Sequence, residues 1–129
     1  MYNYFMLVGT VVSDVELREV GEGKKVVNLL LSVRREFRTA EGTYNYDTIR
    51  ISLWEIMAEI AADTLKKGSK IGIKGHIRVK METLENNVQA QFVNLIADRI
   101  IYFDDNNKMF SNKGDSNNSM NDGFTELGE

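Results

Sequence analysis

The residues best suited to chemistry in this chain are arginines interleaved with aromatic side chains on either side of a polar turn. Arg34, Arg35, Phe37 and Arg38 precede the turn, and Tyr46 follows it. Guanidinium groups bind phosphates and aromatic rings stack on bases, each stacked base contributing about 1–3 kcal/mol. A hydrated hairpin with incidental rings would show similar residues, but a phenylalanine among three arginines favours binding of a single nucleic-acid strand.

The segment after this turn predicts a second face with the same chemistry. Its aliphatic residues alternate from Ile49 to Leu53, so a period of two places Tyr46, Arg50 and Trp54 together on the opposite face of the strand. Trp54 also fits a second role. If the helical spacing is continued backward to it, its ring packs above the helix that follows and does not belong to the outward face of the strand. The residues alone leave both roles open.

A third group of cations lies in the segment between Lys70 and Lys80. Apolar and basic residues alternate there, which predicts a strand that buries its aliphatic face and presents cations on the other. No second ligand stands at a useful spacing from His76, so a metal site at this histidine is disfavoured. The residues predicted to be buried are Ile71, Ile73, Ile77 and Val79, and the cationic face carries Lys70, Lys74, His76, Arg78 and Lys80.

Several classes of chemistry are excluded by what the sequence lacks. It contains no cysteine, which removes disulfide scaffolds and thiolate chemistry. It also shows no Ser-His-Asp set, no paired catalytic carboxylates and no phosphate-cradling glycine motif. Gly72 and Gly75 indicate a barrel bend or a close approach of two backbones, because no helix follows them. We therefore expect no enzymatic activity, no cofactor and no metal.

The composition changes sharply after Phe103. Residues 104–129 are rich in Asn, Ser, Gly and Asp, which predicts a disordered acidic tail behind one folded domain of residues 1–103. Six acidic and two basic side chains give the tail a charge of −4, so residues 1–103 carry +1 of the total of −3. The N-terminal residues have no basic segment and too short an apolar run for a signal sequence or a membrane span, which favours a cytoplasmic protein.

The elements that must position these residues are five strands and one helix. Apolar alternation predicts strands over residues 4–12, 26–35, 46–53, 70–80 and 89–101, and helical spacing predicts a helix over 55–67 that ends at Gly68. Three strands, a helix and two strands is the order of an all-β OB-fold, a five-stranded barrel with its helix between strands 3 and 4. An open meander sheet is the alternative.

Five segments of residues 4–103 carry a resemblance to a known family. They resemble, in matching order, segments of the single-stranded DNA-binding proteins of bacteria and phages, which have the OB-fold. The segment from Leu65 to Arg78 is the most specific of them. The segments are Met6 to Gly9, Asp14 to Arg18, Asn28 to Val33, Asp47 to Leu53, and Leu65 to Arg78.

The resemblance implies a protein that coats single-stranded DNA without strong sequence preference during replication, recombination or repair. It also implies a homotetramer that uses the first strand between subunits, and a cytoplasmic, nucleoid-associated location. Phe37 and Trp54 match DNA-contacting aromatics of the family, which favours the binding role of Trp54. Thr48 and Glu82 stand where the family has further stacking aromatics, and we hypothesise that Tyr46 takes over part of the lost stacking.

The tail departs from the family pattern. Family members commonly end in an acidic tip closing with Pro-Phe that recruits replication and repair enzymes, whereas this chain contains no proline. A partner-binding role of the tail would rest on Phe124, Glu126, Leu127 and Glu129. The alternative for the whole chain is an OB-fold protein-interaction module of a primosome or conjugation system, with weak DNA binding.

Overall fold

The five long strands and the single helix expected from the sequence are present in the computed structural model, which describes residues 1–103 and 109–110. Two short strands and one 3₁₀ turn add to them. In chain order the elements are β1 (Phe5–Val11), β2 (Arg18–Val20), β3 (Lys24–Arg38), β4 (Tyr44–Trp54), α1 (Glu55–Thr64), β5 (Lys70–Thr83), the 3₁₀ turn (Glu85–Asn87), β6 (Gln89–Phe103) and β7 (Met109–Phe110).

The strands close into a barrel because β1 pairs with two neighbours. The sheet runs in the order β1-β5-β6-β4-β3-β2, and β1 also pairs with β3 through Thr10 and Val11. All these pairings are antiparallel except that of β4 with β6, where Ile51 and Ser52 lie beside Leu95 and Ile96. This confirms the predicted five-stranded barrel with a helix between its third and fourth long strands, and the open meander sheet is excluded.

The core lies inside the barrel because each strand turns alternate aliphatic residues inward. Fully burying one such side chain contributes about 1.5–3 kcal/mol to folding. Two alanines of α1 and the leucine after it join the same cluster. Its buried members are Val11, Val27, Leu29, Leu31, Ile51, Leu53, Ala58, Ala61, Leu65, Ile71, Ile73 and Ala97.

The predicted end of the helix is wrong by three residues. Alpha-helical structure stops at Thr64, whose hydroxyl donates a hydrogen bond to the Ile60 carbonyl, and Leu65 is extended. Leu65 is buried in the core, so the chain leaves the helix axis to place this side chain. Gly68 then lies at φ +97° in the turn that follows, rather than as the residue that ends the helix.

The prediction that β5 buries one complete aliphatic face is wrong for its outer half. Ile71 and Ile73 are buried, but Ile77 and Val79 are 38% and 51% exposed. Gly75 is the last β5 residue to pair with β1, and beyond it β6 is the only strand of the described residues that pairs with β5. The two strands therefore project as a hairpin, here called the arm (residues 77–94), beyond the part of β6 that pairs with β4.

Gly75 lies where two backbones approach closely, as its sequence position indicated. A Cβ atom at this position would overlap the Ile96 carbonyl oxygen and would come within 2.8 Å of the Phe5 ring. A Cβ atom on Gly72 would meet nothing closer than 3.6 Å, an ordinary contact with Val8. Only Gly75 of these two is required by close packing.

Most of the predicted tail, including Phe124, Glu126, Leu127 and Glu129, lies outside the described residues. Within it, β7 pairs with the end of β6, Phe110 beside Tyr102 and Met109 beside Phe103. In the described part of the chain, no helix has the length and apolar character needed to cross a membrane.

Candidate nucleic-acid interface

The outward face of the β3–β4 hairpin brings together most of the residues singled out in the sequence. Arg34 pairs in register with Tyr46, and further along the hairpin Arg50 and Trp54 lie opposite Leu30 and Val26. Because side chains alternate along a strand, Tyr46, Arg50 and Trp54 share the face turned away from the core. The predicted second face is therefore formed, with Arg34 added to it by strand pairing.

Three exposed rings of the candidate interface are available for stacking. Phe37 is 81% exposed in the irregular stretch of β3 between Arg34 and Arg38. Tyr46 is 60% exposed and Trp54 is 36% exposed. Trp54 thus keeps a free part of its ring, although it immediately precedes the helix.

Tyr44 organises the arginines of the hairpin, a role that the sequence analysis did not assign to it. The Arg34 guanidinium carbon lies 4.1 Å from the centre of the Tyr44 ring, and that of Arg38 lies 5.4 Å from it. Contacts of this kind hold a guanidinium in place while its N–H groups stay available to an anion. The signal in the sequence was the spacing of two residues between Tyr44 and Tyr46, which places both rings on one face.

Arg35 is separated from the other arginines by its partner Asp47. Its Nε and Nη2 atoms donate hydrogen bonds to the Asp47 carboxylate at 2.8–3.2 Å. Asp47 is in register with Val33, on the face opposite to Tyr46. The hydrogen bond and the charge of Arg35 lower the pKa of Asp47, and those of Asp47 raise the pKa of Arg35. Both groups therefore remain charged. Among the three arginines of β3, Arg35 is the least suited to bind phosphate.

Two of the predicted cations of β5 also have acidic partners. The His76 Nδ1 atom lies 3.0 Å from a carboxylate oxygen of Asp98. The Lys80 ammonium donates to Glu82 at 3.0 Å, so these two charges offset each other on one face of the arm. Asp98 was not foreseen because it comes from the neighbouring strand, whereas Glu82 follows Lys80 by two residues and shares its face of β5 by simple alternation.

Lys74 and Arg78 complete the cationic side of β5. The Lys74 ammonium lies 5.4 Å from the centre of the Tyr4 ring, which places it beside the N-terminal segment. Arg78 is exposed on the arm opposite Asn94, and no ion pair involves it within residues 1–103 and 109–110. Arg78 is therefore the β5 cation best placed to extend the interface.

Glu55 gives the site an unusual backbone. Trp54 is extended, and the first residue of α1, Glu55, has a φ of +57°. Residues other than glycine rarely adopt this left-handed conformation, which costs roughly 1–2 kcal/mol. The turn lets the helix begin directly after Trp54 while Trp54 keeps its outward position on β4. Nothing in the sequence pattern signalled it.

Comparison with known proteins identifies the family of this barrel. The sequence profile of the Single-strand binding protein family matches residues 2–103. The chain belongs to this family. Membership confirms the resemblance drawn from the five sequence segments, and the matched range ends where the composition changes.

Individual members of the single-strand binding family show how far the similarity extends. The chain is 33% identical over 104 residues to Single-stranded DNA-binding protein B of Bacillus subtilis, a match covering 81% of this chain and 92% of that one. It is 38% identical over 87 residues to the Single-stranded DNA-binding protein of Halalkalibacterium halodurans, covering 67% of this chain and about half, 51%, of the relative.

Among solved structures, one similar protein is a deletion mutant of the single-stranded DNA binding protein from Thermus aquaticus. The TM-score is 0.67 with 21% identity, over 84% of this chain and 54% of that one. At this identity the likeness supports the fold of the barrel. In the part of the chain that the structure describes, no group of three or more His, Asp or Glu side chains is arranged to hold a metal ion.

Proposed function

We propose that this protein binds and coats single-stranded DNA, without strong sequence preference, in replication, recombination or repair. The observation that carries the proposal is the joint placement of exposed rings and arginines on the outward face of the β3–β4 hairpin. Membership of the Single-strand binding protein family supports it. The proposed ligand is an unpaired strand, because rings can stack only on bases that are not already stacked in a duplex.

Within this function the side chains divide into two roles. Phe37, Tyr46 and Trp54 are the proposed stacking residues, and any base can stack on them because every base has a π-face. The proposed phosphate contacts come from the arginines of the hairpin and from the cationic side of β5. These are Arg34, Arg38, Arg50 and Arg78, with Lys74, His76 and Lys80 as weaker candidates, and Arg35 as the weakest because of Asp47.

The proposed role is binding without catalysis, in the cytoplasm and on the nucleoid. The domain that binds DNA is residues 1–103, and residues 104–129 form an acidic appendage. We propose that Phe124, Glu126, Leu127 and Glu129 contact replication or repair proteins. A labelled peptide of residues 124–129 tests this directly, and absence of detectable binding to such proteins would remove the proposed role of the tail.

A homotetramer is the proposed working assembly. Within the described residues, β1 pairs with β3 only at Thr10 and Val11, so no strand pairs with that edge of β1 over residues 5–9. Met6 and Val8 are 45% and 58% exposed on this strand. An uncovered strand edge beside apolar side chains favours pairing with a second copy. Analytical ultracentrifugation should give a mass of four chains, and a monomer at micromolar concentration would exclude this assembly.

The intrinsic fluorescence of Trp54 tests the DNA-binding function, because this is the single tryptophan of the chain. Titration with oligo-dT at low salt should quench the signal, and moderate salt should weaken the binding. The logarithm of the affinity should fall with the logarithm of the salt concentration by about 0.7 per neutralised phosphate. A titration that leaves both the fluorescence and the electrophoretic mobility unchanged would contradict the proposal.

One observation favours a second function, the protein-interaction module. The face of the arm opposite to its cations carries Ile77, Val79, Met81 and Val93, which are 38–56% exposed. An apolar cluster of this kind is typical of protein contacts. If oligo-dT does not bind, and if charged substitution of Val79 and Val93 changes the oligomeric state or a protein contact, this function replaces the first.

A further inference from the structure

The arm carries one ring that none of the interactions described above uses. Phe92 is the only Phe, Tyr or Trp between Trp54 and Tyr102 in the sequence. Its side chain is 46% exposed, although a phenylalanine in a folded domain is usually well covered. Its position in β6 therefore raises the question of which surface of the arm it belongs to.

Strand pairing places Phe92 on the polar face of the arm. It lies directly opposite Lys80, and two residues further on Asn94 lies opposite Arg78. Side chains paired in this way project from the same face of a hairpin. The exposed aliphatic cluster is on the other face, where Val79 lies opposite Val93. Phe92 is thus a ring among basic and polar groups.

The same face continues into the β3–β4 part of the interface. Ile96 lies beside Ser52 of β4, and Phe92 is four residues before Ile96 in the same alternation. Ser52 lies between Arg50 and Trp54 at a spacing of two residues, so all three side chains share the outward face of β4. Four residues of strand span about 13 Å, so Phe92 lies roughly that far along the arm from the Ser52 row.

Electrostatics at this end of the arm favours stacking over charge attraction. Lys80 is bridged to Glu82 at 3.0 Å, so the two side chains next to the ring contribute almost no net charge. A bound strand that extends along the arm from Arg78 would therefore lack a strong phosphate contact near Phe92. A flat apolar ring remains as the group that can hold a nucleotide there.

We propose that Phe92 is a further base-stacking residue, which extends the interface along the arm. The inference rests on the proposed function, since a stacking residue needs a bound strand. It predicts that the ring, and not its apolar character alone, contributes to affinity. It also predicts that the contribution is independent of salt, because Phe92 carries no charge.

The first test compares Phe92→Ala with Val93→Ala, which removes an exposed side chain from the opposite face of the arm. Anisotropy with labelled oligo-dT should show about a tenfold loss of affinity for Phe92→Ala at each salt concentration, with an unchanged salt slope. Val93→Ala should bind as the wild type does. Phe92→Tyr should retain affinity, which would separate loss of the ring from damage to the arm.

A second test reports on the ring itself. In the double variant Trp54→Phe and Phe92→Trp, the only tryptophan lies on the arm, and oligo-dT should quench its fluorescence. If the wild type binds but this signal is unchanged and Phe92→Ala binds normally, the inference on Phe92 is overturned while the proposed function stands. If the wild type itself does not bind, both fail together.

Discussion

The side-chain amide of Asn3 makes both backbone hydrogen bonds of Ile77. Its Nδ2 atom donates to the Ile77 carbonyl at 2.8 Å, and its Oδ1 atom accepts from the Ile77 N–H at 2.9 Å. Backbone pairing between β1 and β5 ends at Phe5 and Gly75. Asn3 therefore takes the place of one more strand residue, at the point where β5 leaves the barrel and the arm begins.

Substitution of Asn3 by alanine should destabilise the domain by about 1–2 kcal/mol, because two hydrogen bonds of about 0.5–1.5 kcal/mol each are lost. Urea unfolding measures the change, and Asn45→Ala is the matched control. Asn45 is exposed on β4 and makes no side-chain hydrogen bond within the described residues. Equal stability of the two variants would show that the Asn3 amide contributes nothing beyond an ordinary surface asparagine.

Substitution of Gly75 by alanine should cost about 3 kcal/mol or more, because the new methyl group would meet the Ile96 backbone and the Phe5 ring. Gly72→Ala, only three residues away on the same strand, should change stability by less than about 1 kcal/mol. Thermal unfolding of both variants measures the difference. The close approach at Gly75 is refuted if both substitutions have the same effect.

Substitution of Glu55 by glycine should stabilise the domain by about 1 kcal/mol, because glycine adopts a positive φ without the steric cost that glutamate has. For a domain of about 100 residues this corresponds to a rise in Tm of roughly 4–8 °C. Glu55→Ala is the control, since alanine removes the carboxylate but keeps the strain. A similar gain for both would attribute the effect to charge instead of backbone conformation.

The two neighbouring arginines of β3 should differ in their effect on DNA binding. Arg34 lies on the outward face beside Tyr44, whereas Arg35 is held by Asp47 on the other face. Arg34→Ala should lower the affinity for oligo-dT and reduce the salt slope by about 0.7, the value for one phosphate on a single strand. Arg35→Ala should change the slope less, because Arg35 is already paired with Asp47. Anisotropy titrations at several salt concentrations measure the affinity and the salt slope of both variants. A larger effect of Arg35→Ala than of Arg34→Ala would contradict the assignment of the DNA-binding surface to the outward face of the hairpin.

The ion pair of Arg35 and Asp47 should make part of the stability depend on pH. Arg35 lowers the pKa of Asp47 in the folded state, so the pair stabilises the fold above the unfolded pKa of about 3.9. This contribution is lost as the pH falls through the lowered folded value. Asp47→Asn should therefore be less stable than the wild type at pH 7, and urea unfolding should show that this deficit shrinks as the pH is lowered below the unfolded pKa of Asp47.

Asp63→Asn is the control for this pH dependence, because Asp63 is exposed on α1 and forms no ion pair within the described part of the chain. Its stability difference from the wild type should be small at both pH values. A deficit of Asp47→Asn that persists unchanged at pH 2 would mean that its cause is packing and not charge.

Much of the candidate interface was predictable because it follows the local alternation of strands. Phe37, Tyr46, Arg50 and Trp54 are exposed as their positions in the sequence indicated. The acidic partner of His76 was not predictable in the same way. His76 and Asp98 are 22 residues apart in the sequence, and they meet because β6 pairs with β5. The alternation of residues along one strand carries no information on such pairs.

The amino-acid sequence by itself determined the five long strands, the helix between the third and fourth of them, and the family to which the chain belongs. Alternation of apolar and polar residues is a local property, and each segment carries it independently of the others. The same local property placed aromatic and basic residues together on the outward face of β4. These features needed no knowledge of which strands are neighbours.

Only the tertiary structure decided where burial stops and which cations are already paired. Ile77 and Val79 have the alternation of a buried face, yet they are exposed because β5 continues beyond Gly75, where its pairing with β1 ends. The pairing of Arg35 with Asp47 and the position of Phe92 on the arm have the same origin. Each depends on contacts between segments distant in the chain, and the physical reason is that burial and electrostatics are set by neighbours in space.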